Sequence, residues 1–199
     1  MAMDEPDFID TMKDILERRR PRRMLERHSH YREAAVLIPI YEKGGDYRIL
    51  FTKRAPQVKY HRGHISFPGG VRDKEDRSPM ETALRESYEE IGIHEKDVEI
   101  LGPIDDAITF VPPFIVHPYV GRIPYPYHFS INTEEVEKII AVPMDFFLPD
   151  NTGEDGDSFT DGGDLYYPEY HFRGELIWGT TASIVANLIS ILRKRFVLP

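Results

Sequence analysis

The fifteen residues SPMETALRESYEEIG, from Ser78 to Gly92, constrain this chain more than any other stretch. Ser78 is a strong helix N-cap, Pro79 suits the first helical position, and Glu81 completes a Ser-x-x-Glu capping pattern. Gly92 is the expected stop, because glycine accepts the left-handed turn that closes a helix. A helix is therefore predicted from Pro79 to Ile91. At about 100° per residue, Glu86, Glu89 and Glu90 share one third of its circumference. Met80, Ala83, Leu84, Ser87 and Ile91 fall on another side, suited to packing.

The rest of the chain supplies what such a helix packs on. Ala34 to Tyr41, AAVLIPIY, is apolar throughout and reads as a buried strand. Gly44-Gly45 then forms a turn into a partner strand, Tyr47 to Lys53. Gly63 to Phe67 reads as a further short strand, ending at Pro68-Gly69-Gly70. Val98 to Ile104 and Phe114 to Ile123 are strands. Glu134 to Lys138 reads as helical and Ile139 to Val142 as extended. Tyr166 to Trp178 is hairpin-like, and Thr180 to Lys194 closes the chain as an amphipathic helix. Ile9 to Arg19 is a second amphipathic helix, with Ile9, Met12, Ile15 and Leu16 on one side; Pro21 stops it. The pattern is that of an α/β protein. Residues 1–30 form an N-terminal helix and basic linker, and residues 31–199 a single domain.

Composition narrows the function. A chain of 199 residues with net charge −9 lacks the basic balance of a nucleic-acid binder. No stretch reaches the ~18 apolar residues of a membrane span. There are no cysteines, so thiolate metal sites and disulfides are excluded. A cytoplasmic location is the default expectation. The basic run from Arg18 to Arg23 reads as a solvated helix end or an anion-binding patch. Asn151 to Asp164 holds four glycines and five acids and reads as a surface loop.

Three glutamates on one helix face repel one another unless something positive joins them. They form either an exposed solvated face or half of a site for a hard divalent cation, which takes oxygen ligands. Two features favour the site. Arg85 stands four residues from both Glu81 and Glu89, placed to pair with either. The turn Phe67-Pro68-Gly69-Gly70 precedes the helix and lets backbone approach an ion or phosphate.

These residues resemble a known family. Gly70 to Ile93 is similar to a Nudix box, whose form is G-x5-E-x7-R-E-U-x-E-E-x-G-U with U aliphatic. Arg85, Glu86, Glu89, Glu90, Gly92 and Ile93 match; Ser87 stands at an aliphatic position. Arg77 replaces the first glutamate, the spacing is one residue longer, and Asp76 is placed to take the acidic role. That insertion resembles the coenzyme A diphosphatase branch, whose further signature is L-L-T-x-R-[SA]-x3-R-x3-G-x3-F-P-G-G. Here it reads Leu50-Phe51-Thr52-Lys53-Arg54-Ala55, Lys59, Gly63 and Phe67-Pro68-Gly69-Gly70, with Phe51 for leucine and Lys59 for arginine. Lysine keeps the charge there but loses the two-pronged geometry of arginine.

The resemblance implies an α/β/α sandwich around a mixed sheet and a Mg2+ (or Mn2+) cofactor. It implies Glu86 and Glu90 as main metal ligands, and Glu89 as a further ligand or water-activating base. Arg85 would hold a glutamate in place. The substrate would be a small nucleoside diphosphate of the coenzyme A type, gripped by Arg54, Lys59, Gly69 and Gly70, and cut to 3′,5′-ADP and 4′-phosphopantetheine. A homodimer is compatible with this reading. Two other functions compete: hydrolysis of another nucleoside diphosphate such as ADP-ribose, NADH or a dinucleotide, and silent nucleotide binding. The intact Glu86, Glu89 and Glu90 argue against the silent module. Arg54 and Lys59 are otherwise surface charges, and His61 and His64, flanking Gly63, either contact phosphate or carry a proton, or are plain loop residues. Glu135 either reaches the metal or sits in the first turn of a helix capped by Asn132, where its charge suits the helix dipole. Trp178, Tyr166, Tyr167 and Tyr170 either stack on an adenine or pack a hairpin.

Overall fold

A computed structural model describes residues 7–24, 30–59, 61–148 and 168–193. The loop Asn151–Asp164 and the residues Tyr166 and Tyr167 lie outside them. Chain order is α1 (Phe8–Arg18), β1 (Arg32–Lys43), β2 (Asp46–Arg54), β3 (Ile65–Ser66), β4 (Gly69–Val71) and α2 (Pro79–Ile91). Then come β5 (Glu99–Pro103), β6 (Ala107–Phe110), β7 (Pro113–Arg122), β8 (Val136–Pro143), β9 (Tyr170–Phe172), β10 (Glu175–Ile177) and α3 (Gly179–Arg193).

Among the described residues β1 to β8 make one mixed sheet with the central path β3-β2-β1-β7-β5. The β1–β7 pair is parallel, with Ala35 opposite His117, and the other pairs are antiparallel. Strand β1 explains the layering. Ala34, Ile38 and Ile40 enter one core with Ile9, Met12, Leu16 from α1 and Val185, Leu188 from α3. Ala35, Leu37 and Tyr41 enter a second core with Ala83 and Ile91 from α2. Side chains alternate across a strand, so a strand covered on both faces is apolar at every position. The result is the α/β/α sandwich that the resemblance implied.

Three expectations need correction, and one strand is new. Val136 to Lys138 is already β8, paired with β2, so the segment from Glu134 is a turn and strand rather than a helix. The charged residues suggested a helix, but the pairing of Lys53 with Lys138 decides otherwise. Gly69–Val71 is strand β4 rather than plain turn, hydrogen-bonded to β1. Ala107–Phe110, unread in the sequence, is β6. Met80 is exposed rather than packed.

The basic run is not simply solvated. Arg19 donates to Asp105 at 2.6 Å and Arg23 to Asp106 at 2.6 Å, while the Arg22 N–H reaches Asp105. The acids that receive them were hidden in sequence more than eighty residues away.

Candidate active site

Helix α2 starts and stops where its sequence directs. The Ser78 hydroxyl accepts the Glu81 N–H, and Gly92 is left-handed at φ 74°. The reciprocal half of the capping pattern is shifted by one residue. The Glu81 carboxylate takes the Arg77 N–H at 2.6 Å and the Arg77 guanidinium at 2.8 Å. Arg85 is therefore left to its other partners. It donates to Glu86 at 2.8 Å and Glu89 at 3.0 Å, and its fork meets both oxygens of Asp76 at 3.0 Å.

Asp76 is the acid that the inserted residue brings inward. It is buried and also accepts from the Thr82 hydroxyl at 2.8 Å and the Asp73 N–H at 2.9 Å. Hydrogen bonds to the ionised form favour it. The Arg85 fork above all holds the Asp76 carboxyl well below the usual range.

The three helix glutamates share a face but not an environment. Glu89 has half of its side chain in solvent, Glu86 is mostly covered, and Glu90 is 3% exposed. Burial disfavours the charged form, so the Glu90 carboxyl is pushed up to about 8, and Glu86 is raised for the same reason. Arg54 stands 3.9 Å from Glu90 Oε1, and its charge and the nearby Gly69 backbone favour the ionised carboxylate against the effect of burial. Glu90 Oε2 is buried with no partner. An unmet buried acceptor costs about 1–3 kcal/mol or more when charged.

The glycines explain how these acids approach the backbone. A Cβ on Gly70 would lie 2.4 Å from the Glu86 carboxyl carbon, and one on Gly69 would lie 2.3 Å from the Ala35 carbonyl oxygen. Hydrogen at Gly69 lets β4 lie against β1, and hydrogen at Gly70 leaves the Glu86 carboxylate room beside β4.

Among the described residues no three His, Asp or Glu side chains converge tightly enough to wrap an ion with protein ligands alone. A fully protein-made cage is not what Mg2+ needs. It takes one or two carboxylates, keeps waters and borrows substrate oxygens. Glu86 and Glu90, with the orphaned Glu90 oxygen, fit such a partial site.

The other sequence candidates divide. Arg54 is in the site. Lys59 is exposed in the β2–β3 connection. His64 accepts the Arg54 N–H through its carbonyl at 3.0 Å, and its ring lies 5.0 Å from that of Trp178. Tyr170 packs in the core against Phe147. Glu135 caps no helix; its charge bears on both Glu86 and Glu90 and raises them.

One cluster went unread in the sequence. His117 is buried between Asp106 at 2.9 Å and Glu33 at 3.2 Å, and Glu33 is bound by Arg72 at 3.0 Å. A histidine inside the apolar run Phe114 to Val120 was the available signal.

Comparison with known proteins decides the family. A model described as the NUDIX domain matches residues 30–158. The chain belongs to the Nudix hydrolase family. It is 34% identical over 168 residues to an uncharacterised Nudix hydrolase, NudL, of Photorhabdus laumondii, covering 84% of this chain and 87% of that one. It is 33% identical over 149 residues to the mouse peroxisomal coenzyme A diphosphatase NUDT7, covering 74% of this chain and 63% of the mouse protein. Among solved structures, DR0079 of Deinococcus radiodurans superposes with TM-score 0.53 at 13% identity, over 78% of this chain and 81% of that one. That likeness shows the fold. As a Nudix hydrolase the protein acts on phosphorus-containing anhydrides of the pyrophosphate class, in small nucleotide derivatives. Nudix hydrolases generally use divalent metal ions. No described helix is long and apolar enough to cross a membrane.

Proposed function

We propose that this Nudix hydrolase cleaves the diphosphate of coenzyme A or acyl-coenzyme A, giving 3′,5′-ADP and 4′-phosphopantetheine. The observation that carries the proposal is the meeting of two signatures in one place. Arg54, from the coenzyme A-type motif, stands 3.9 Å from Glu90 of the Nudix helix. The mouse relative, named a coenzyme A diphosphatase, supports the same substrate.

In this reading Glu86 and Glu90 hold Mg2+ or Mn2+. An ion held there would supply positive charge to the diphosphate and to the leaving phosphate. Glu89, the acid most open to solvent, accepts the proton of the attacking water. The new bond joins that water oxygen to phosphorus as the bridging P–O bond breaks. Arg85 fixes Glu86 and Glu89 relative to each other, a supporting role for groups that touch the ion. Arg54 and Lys59 supply positive charge to substrate phosphates, and Gly69 and Gly70 give them room.

A substrate panel with product identification tests this. Release of 4′-phosphopantetheine, with kcat/KM for coenzyme A well above that for ADP-ribose or NADH, is expected. Equal or reversed preference would assign the enzyme to another nucleoside diphosphate.

A further inference from the structure

Beyond the carboxylates, the site continues along a line of flat side chains. Strand β3 brings His64 beside Arg54: the Arg54 N–H donates to the His64 carbonyl at 3.0 Å, and the Gly63 N–H returns to the Arg54 carbonyl at 3.1 Å. Next to His64 comes Trp178, edge-on with ring centres 5.0 Å apart. His61 flanks His64 at 5.2 Å.

Trp178 is fixed from two sides. It is the single residue between β10 and α3, and the Thr181 hydroxyl in the first turn of α3 donates to the Ile65 carbonyl of β3 at 3.1 Å. Yet Trp178 is 44% exposed. The hairpin-packing role that the sequence allowed it is filled instead by Tyr170 and Ile177, both buried. An indole held firmly with its surface in solvent, next to an imidazole and then a guanidinium, is poised for another flat ring.

We propose that the exposed Trp178 indole is the face on which the nucleobase of the substrate stacks, with the His64 ring edge-on beside it, while Arg54 takes the phosphates. The inference rests on the reading of this site as one for a nucleoside diphosphate. It goes further by assigning which part of the substrate lies on which wall. Aromatic stacking needs only a π-face, and Arg54 beside the rings marks where the base gives way to phosphate.

Trp178 is the sole tryptophan, so its fluorescence reports on this surface alone. The test titrates the metal-free protein with ADP, inorganic pyrophosphate and 4′-phosphopantetheine in turn. ADP is expected to quench saturably and the other two far less. Calorimetry should show ADP binding weakened ~10-fold or more in Trp178→Ala and largely kept in Trp178→Phe, in line with the worth of one stacked base. Circular dichroism melting confirms that both variants fold.

Quenching by pyrophosphate or phosphopantetheine equal to that by ADP would overturn this assignment. So would unchanged ADP affinity in Trp178→Ala, or no ADP binding at all. ADP is common to coenzyme A, ADP-ribose and NADH. Failure of the coenzyme A assignment in the substrate panel therefore leaves this test intact, and the reverse also holds.

Discussion

At the scale of the residue, the site depends on atoms that are absent. Gly70 has an ordinary backbone, and its requirement is space: the Glu86 carboxylate occupies the volume of a Cβ. Gly70→Ala is expected to fold, because the clash falls on the movable end of a side chain. The displaced Glu86 should lose its place beside β4. Hydrolysis should drop ~100-fold or more, with melting moved by under ~1 kcal/mol, since cost depends on whether the neighbour can yield. Initial rates and thermal melts check this together; full activity would disprove the need for close approach. Gly69 differs, for its neighbour is the rigid Ala35 carbonyl. Pattern reading singled out both glycines but could not tell these reasons apart. Nor could it rank the glutamates. Helical spacing put Glu86, Glu89 and Glu90 on one face, yet only tertiary packing buries Glu90 and leaves Glu89 open.

At the scale of the element, α2 was legible because its start, stop and period are local instructions. Ser78, Pro79 and Gly92 each act within a turn of their own position. The loop before it was less so. Asp76 was suggested only by the inserted residue, and its fork with Arg85 needs the folded loop. This pair makes a pH dependence with a definite sign. The Asp76 carboxyl is held below its unfolded value. A depressed acid adds stability above the unfolded value of about 3.9, and that stability is lost as pH falls through the folded one. Asp76→Asn is expected to cost ~3 kcal/mol at neutral pH, the order seen when one partner of a buried pair is removed. Denaturant melts of the two proteins should converge as pH falls below 4. Parallel loss at every pH would mean that the ion pair is not the cause. By contrast, β8 was misread from Glu134 to Lys138. Local charge suggested a helix, and the choice was made by Lys53 and its neighbours on β2, more than eighty positions earlier.

At the scale of the whole molecule, one strand organises both the fold and the site. Strand β1 feeds two cores, pairs with β4 beneath the acids, and carries Glu33 toward His117 and Arg72. Its unbroken apolar run was visible in the sequence; its partners were not, because pairing joins residues far apart in the chain. Helix α1 likewise read correctly as amphipathic, but its burial against the α3 side of the sheet and the seating of Arg19 and Arg23 on Asp105 and Asp106 are long-range facts.

The most direct test of the central claim is the rate of coenzyme A hydrolysis by Glu90→Gln at saturating Mg2+, set beside the wild type. The change keeps shape and removes the buried carboxylate proposed to ionise against a divalent ion. A fall in kcat of ~1,000-fold or more, in a protein that melts no lower than the wild type without metal, is the expected result. A Glu90→Gln enzyme with wild-type kcat would contradict the account.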